Sequence, residues 1–204
     1  MDTGEQCGDQ RMNDVPASRW RADLERRWAE PHRHHHDLSH LRYVLAALDT
    51  LHNEGEDFDI DVVRRAAWFH DAIYDPRRDD NEERSARLAI DLLAADESPV
   101  EVARLVRVTR THEVDPVDAN AAALCDSDLS ILASDDLRYR QYADNVRREY
   151  AHVPDPKFAH ARAAILQGLL KRPHLFSTPT GRRRWEATAR TNLTTEIADL
   201  VGQS

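Results

Sequence analysis

Residues 66–74 read AAWFHDAIY, an apolar run that is interrupted by His70 and Asp71. The apolar residues before it recur at the spacing of the inner face of a helix that starts near Asp59. A buried imidazole and a buried carboxylate are costly unless a partner compensates them, and a metal ion is one such partner. Because adjacent helical residues point about 100° apart, both side chains reach one ion only across the end of the helix. The alternative is a hydrogen-bonded His–Asp pair near a helix end, and the other histidines and carboxylates must decide between the two.

The composition indicates one all-helical domain. The chain has 204 residues, of which only six are glycine, and it is rich in Ala, Leu, Arg and Glu. Residues 1–16 are polar and end at Pro16, so we expect a disordered leader there. Residues 17–204 are then expected to form a single helical domain.

The charge balance excludes whole classes of partner. The chain has 28 Lys and Arg against 37 Asp and Glu, which gives 28 − 37 = −9 with histidine neutral. This argues against binding to long nucleic acids or to a membrane surface, but local arginines could still bind a small nucleotide. Cys7 and Cys125 lack CxxC spacing, and no run of about 18 apolar residues or signal-peptide core is present. These features predict a soluble cytoplasmic protein.

A second polar cluster precedes residues 66–74 in the chain. Residues 32–40 read HRHHHDLSH and hold five of the eleven histidines. Asp37 or Ser39 can cap the next helix, and His40 lies one turn before Val44 on its inward face. His40 is therefore a candidate ligand, although a hydrogen-bonded core histidine is the alternative. His36 is four residues earlier and would share that face if the helix began early.

A third segment, CDSDLSIL at residues 125–132, again places carboxylates in an apolar helical stripe. Asp128 is four residues from both Leu124 and Leu132, so it is predicted to face inward and bind the ion. Asp126 lies about 200° away around the helix. We expect Asp126 at a boundary position, where it forms hydrogen bonds or supports a metal ligand from behind.

Other polar residues have both an ordinary and a functional interpretation. Glu82 and Glu83 open a helix after residue 80, and His112 ends another, all three positions being favoured by the helix dipole alone. Arg147 lies in a cluster of Arg and Tyr residues, where solvated ion pairs are the ordinary interpretation. The last helix is predicted over about residues 182–201.

The four candidate ligands lie on three separate predicted helices: His40 on the first, the adjacent His70 and Asp71 on the second, and Asp128 on the third. Their order along the chain resembles the signature of the HD superfamily of metal-dependent phosphohydrolases. A longer likeness points to its branch of predicted metal-dependent HD phosphohydrolases and covers roughly residues 18–200. It is carried by residues 31–40, 69–76, 81–86, 109–112, 126–129, 147–150 and 189–193. The chain has His35 and Asp37 where that branch is expected to have Tyr and Asn.

The resemblance implies an all-α, HD-domain-like helical bundle that hydrolyses a small phosphate ester, possibly a nucleotide. A His and carboxylate ligand set without thiolate suits a divalent ion such as Mn, Fe, Co, Ni, Zn or Mg. Glu82 or Glu83 could orient the water or protonate the leaving oxygen. Arg33 or Arg147 could neutralise phosphate charge. Assembly into a homo-oligomer stays open.

Two other functions remain open. Some members of the superfamily are diiron oxygenases, and His36 and His112 are the spare histidines that could bind a second ion here. Alternatively, the chain could be a non-catalytic nucleotide sensor whose polar last third meets a partner.

Overall fold

The computed structural model describes residues 19–93 and 98–202, which are helical and contain no strand. The predicted all-α fold is confirmed, whereas the predicted leader at residues 1–16 lies outside the described residues. In chain order the elements are α1 (Arg19–Trp28), α2 (Leu38–Asn53), α3 (Ile60–Phe69), α4 (Asn81–Leu92), α5 (Pro99–Val108), α6 (Ala119–Leu129), a 3-10 turn (Ser130–Ala133), α7 (Asp136–Glu149), α8 (Asp155–Leu170), α9 (Pro179–Arg184) and α10 (Glu186–Gly202).

Aspartate caps fix where the site-bearing helices begin. Asp59 and Asp118 each accept a hydrogen bond from an N–H in the first turn of α3 and α6. Asp37 does the same for α2, accepting from the N–H groups of Ser39 and His40. Because α2 therefore starts at residue 38, His36 precedes the helix and does not share a helical face with His40.

In residues 19–93 and 98–202 the core has two hydrophobic clusters. The larger one is formed by the inner faces of α1 to α6, where Leu24, Trp28 and Phe69 are fully buried. The smaller one joins the 3-10 turn and the helices of the last third through residues such as Leu166 and Leu193. The site-bearing ends of α2, α3 and α6 are held by the larger cluster, so tertiary packing rather than helix propensity fixes their positions.

The predicted single helix over residues 182–201 is wrong, because the chain forms α9 and α10 there with a break at Trp185. Trp185 packs its ring against Phe176, 5.5 Å away between centroids. Glu186 turns back and accepts hydrogen bonds from the backbone N–H groups of Leu175 and Phe176. These contacts bend the chain where a straight helix would pass. Among the described residues, no helix is long and apolar enough to span a membrane.

Candidate metal centre

The C-terminal end of α3 brings His70 and Asp71 to one point. The helix ends at Phe69, and the N–H of Ala72 turns back to the carbonyl of Phe69 at 3.0 Å. His70 Nδ1 must donate to the carbonyl of Ala67, 2.7 Å away, since a carbonyl can only accept. That bond leaves His70 Nε2 facing Asp71 Oδ2 at 3.2 Å. The two side chains therefore converge across the helix end, as the sequence predicts.

Two further helices complete the cluster. From α2, His40 places its Nε2 at 3.3 Å from His70 Nε2 and 4.0 Å from Asp71 Oδ2. From α6, Asp128 places Oδ1 at 3.0 Å from His40 Nε2 and 3.6 Å from His70 Nε2. The ligand atoms of His40, His70 and Asp71 lie within 4.8 Å of one another. All four residues that the sequence singles out as ligands are thus brought together.

The charges in this cluster suit a cation. Among the described residues, the only side-chain donors that reach the carboxylates of Asp71 and Asp128 are imidazole nitrogens. Burial lowers the pKa of His70, but the two carboxylates outweigh burial and hold that pKa well above its usual value. Burial raises the pKa of Asp128, but the imidazoles of His70, His112 and His40 hold it well below its usual value. The ligand atoms therefore attract positive charge, and a divalent ion can take the place of the protons.

The residues present fit such an ion. Nitrogen and oxygen donors without thiolate suit a borderline or hard divalent metal. The His70 tautomer that its bond to Ala67 enforces has Nε2 free as a ligand. The Nδ1 of His40 has no hydrogen-bond partner among the described residues, so its tautomer is not fixed in the same way.

A polar cavity of about 340 Å³ opens over the cluster. Asp71 and Asp128 belong to its lining, and both side chains keep a small exposed fraction, 14% and 15%. Its other walls are mainly charged or polar, among them His36, Arg78, Asn81, Glu82, Arg110 and His112. A small polar ligand that enters this cavity would therefore meet the cluster directly.

His112 reaches the cluster from the turn that follows α5. Its backbone is in the left-handed region, with φ at 51°, and its Nε2 lies 2.8 Å from Asp128 Oδ2. Arg172 holds this turn by donating to the carbonyls of Thr111 and His112 at 2.8 and 3.0 Å. His112 thus orients Asp128 from the side away from His40.

His36 is held on the cavity wall by Glu149, which the sequence did not single out. Glu149 Oε1 accepts from the backbone N–H groups of His34, His35 and His36 at 2.8, 2.7 and 3.0 Å. Its Oε2 pairs with His36 Nδ1 at 2.7 Å and accepts from the hydroxyl of Tyr74 at 2.9 Å. Burial raises the pKa of Glu149, but His36 and the backbone donors hold it well below its usual value. Because Glu149 can only accept, His36 donates from Nδ1 and its Nε2 stays available.

A pattern in the sequence could have revealed Glu149. It lies three residues after Val146 and ten after Tyr139, both of which are buried on the inner face of α7. A carboxylate at this spacing belongs to the buried stripe and needs several donors. The rule that singled out Asp128 applies equally here.

Of the two predicted acid–base residues, only Glu82 lines the cavity. The carboxylate of Glu83 lies at the surface, paired with Arg107 at 2.6 Å and Arg87 at 2.8 Å. Hydrogen bonds from these two arginines lower the pKa of Glu83 to about 2. Glu83 is therefore occupied outside the cavity.

The two predicted phosphate-binding arginines are also occupied and lie outside the cavity lining. Arg33 is buried and donates to the carbonyls of His36, Asp71 and Ala72 at 3.0, 2.7 and 3.2 Å. It thereby ties the histidine-rich segment to the chain that follows His70. Arg147 donates to Asp155 at 2.6 Å and to the carbonyls of residues 150 and 153, which closes the loop after α7.

The boundary position expected for Asp126 is wrong, since the residue is 1% exposed. Its hydrogen-bonding role is confirmed: the carboxylate accepts from the N–H of Ser177 at 2.7 Å and from the N–H and hydroxyl of Thr178 at 2.8 and 2.7 Å. The segment before α9 covers this face of α6, which a helical wheel does not reveal. A Cβ at Gly181 would lie 2.5 Å from Asp126 Oδ2, so the close approach requires glycine. Asp126 thus anchors α9 and, within the described part of the chain, forms no hydrogen bond or ion pair with the cluster.

Comparison with protein families, curated proteins and solved structures gives no match to this chain.

Proposed function

We propose that this protein is a metal-dependent phosphohydrolase of the HD type that cleaves a small phosphate ester. The observation that carries the proposal is the convergence of His40, His70, Asp71 and Asp128 beneath a polar cavity. Four side chains from three helices, two of them carboxylates whose only side-chain partners in the described residues are imidazoles, are unusual in a core unless they serve a cation. The order of these residues along the chain supports the HD assignment.

The chain's own residues have distinct roles in this proposal. His40, His70, Asp71 and Asp128 would hold a divalent ion, which when bound makes a coordinated water more acidic and offsets phosphoryl charge. Glu82 is the carboxylate on the cavity wall that would exchange a proton with the attacking water or the leaving oxygen. His36, held by Glu149, would present Nε2 to the same space.

The size and charge of the cavity favour a small substrate. Its volume of about 340 Å³ is at the lower end for ligand pockets. A sugar phosphate or a nucleoside monophosphate has a size that suits a cavity of this volume. A long nucleic acid would meet a chain with a formal charge of −9.

Two alternatives are separated from hydrolysis by simple measurements. His36 and His112 both line the cavity, so a diiron oxygenase predicts two irons per chain and consumption of dioxygen. A non-catalytic sensor predicts tight binding of a phosphate compound without turnover in any metal. A hydrolase predicts release of inorganic phosphate that stops on chelation.

The direct test compares Asp71→Ala with Asp79→Ala. Both residues line the cavity, but only Asp71 belongs to the cluster, so Asp79→Ala is a matched control. We expect Asp71→Ala to lose bound metal and phosphatase activity while its circular dichroism spectrum stays helical. We expect Asp79→Ala to keep the metal and most of the activity. Full activity in Asp71→Ala, or in thoroughly chelated wild-type protein, would refute the proposed function.

A further inference from the structure

The turn after α5, residues 109–112, contributes three residues to the cavity wall, Thr109, Arg110 and His112. It is held at both ends. The hydroxyl of Thr109 donates to the carbonyl of Val106 at 2.8 Å, and Arg172 donates to the carbonyls of residues 111 and 112. The backbone that bears Arg110 is therefore fixed, although its side chain is exposed.

The cavity lining contains two guanidinium groups, and they differ in their partners. Arg78 uses Nε and Nη2 to bind both carboxylate oxygens of Asp80, each at 2.7 Å. The guanidinium of Arg110 has no hydrogen bond or ion pair within residues 19–93 and 98–202. Arg110 is thus the arginine of the lining that can form a two-point contact with an anion without first breaking one.

Charge counting indicates which anion that is. Asp71 and Asp128 carry two negative charges, which a divalent ion would balance to zero, and Asp79 and Glu82 add further negative charge to the lining. A phosphate diester has one negative charge, whereas a phosphate monoester near neutral pH carries up to two. The extra charge of the monoester needs a further cation near the ion, and a guanidinium matches phosphate oxygens in a bidentate manner.

We propose that Arg110 binds the phosphate group of the substrate and directs the site toward phosphate monoesters rather than diesters. This inference rests on the proposed function and adds a substrate class to it. Arg110 is a substrate-binding residue here, since its free guanidinium would contact the phosphate oxygens and the ion would be held by other residues.

The test is a titration of the full-length protein with inorganic phosphate by isothermal calorimetry, with and without added Mn²⁺. We compare the wild type with Arg110→Ala, Arg110→Lys and Arg77→Ala. Arg77 is an exposed arginine on the nearby connector that is not part of the cavity lining, so it controls for diffuse charge. Arg110→Ala should weaken phosphate binding about 10- to 100-fold, as expected for loss of a charge-assisted bidentate contact. Arg110→Lys should bind phosphate with an affinity between those of the wild type and Arg110→Ala. Arg77→Ala should bind phosphate as tightly as the wild type does.

Activity gives a second readout. In Arg110→Ala, kcat/KM should fall for p-nitrophenyl phosphate but change little for bis-p-nitrophenyl phosphate, because the diester lacks the second charge. Metal content should stay at the wild-type level, since Arg110 is outside the cluster.

The outcomes separate this inference from the proposed function. Wild-type phosphate affinity in Arg110→Ala, or an equal loss in Arg77→Ala, overturns the role of Arg110 even if the protein is an active hydrolase. Loss of phosphate binding in Arg110→Ala alone, in a protein that hydrolyses no phosphate ester, keeps the phosphate-binding role and refutes the proposed function.

Discussion

Carboxylates meet histidines of residues 32–40 at two places, around Glu149 and at the cluster of His40, His70, Asp71 and Asp128, and these two clusters differ in how their charge is satisfied. Glu149 receives five hydrogen bonds, three from backbone N–H groups, one from His36 and one from Tyr74. Asp71 and Asp128 receive side-chain donors only from imidazoles within the described part of the chain. A carboxylate that the fold has already satisfied holds the structure together, whereas one facing only titratable groups remains able to bind a cation.

The same short segment serves both clusters. His36 pairs with Glu149, and His40, four residues later, faces Asp128. The cap formed by Asp37 lies between them and separates an irregular stretch from α2. Two histidines four residues apart, His36 and His40, therefore have different roles because α2 starts between them.

The largest expected difference is between two aspartates on one helix. Asp128→Ala should weaken metal binding by more than about 100-fold, because a direct ligand contributes more than a residue that only orients one. Asp126→Ala should keep the metal but lower the free energy of unfolding by roughly 3 kcal/mol, because two N–H groups and a hydroxyl lose their acceptor. Metal analysis and urea denaturation of both variants measure this. An empty site in Asp126→Ala beside a full site in Asp128→Ala would reverse the assignment.

Substitution of Glu149 tests whether the contacts around Glu149 and the proposed metal-binding cluster are independent of one another. Glu149→Gln keeps the volume but places an amide donor against two other donors, so it should cost roughly 3 kcal/mol of unfolding free energy at pH 7. The metal content should persist. The exposed Glu25→Gln should be neutral in both measurements. Complete loss of metal from a folded Glu149→Gln protein would show that the two clusters are not separate.

The pH dependence of the stability lost in Glu149→Gln follows from the pKa of Glu149, which lies below its ordinary value of 4.5. A lowered pKa means that the carboxylate stabilises the fold fully above pH 4.5 and that this stabilisation is lost as the pH falls below it. The difference in unfolding free energy between wild type and Glu149→Gln should therefore shrink below pH 4.5. A difference that grows with acid would contradict this.

The sequence predicted the cluster better than its surroundings. His40, His70, Asp71 and Asp128 could be found because each interrupts an apolar stripe, and helical periodicity places such residues inside. The end of α3 was also predictable, since two adjacent residues can share an ion only there.

The surroundings depended on long-range contacts that periodicity does not contain. Asp126 is buried because the segment before α9, about fifty residues later, folds over it. Arg33 and Glu83 have the right charge for catalysis but are committed to backbone carbonyls and to surface arginines. Residue type alone cannot show which partner an arginine or a glutamate has already taken.

The smallest expected effect concerns His112 and shows whether this residue is a metal ligand or only orients Asp128. His112 contacts Asp128 Oδ2, whereas His40 and His70 lie next to the other carboxylate oxygen, Oδ1. If it only orients Asp128, His112→Asn should weaken metal binding about 10-fold and leave one ion per chain. Asn is the suitable replacement because it tolerates the φ of 51° at this position, so the turn is retained. The exposed His160→Asn is the control and should bind metal as the wild type does. Metal titrations that show two ions in the wild type and one in His112→Asn would instead make His112 a ligand of a second ion.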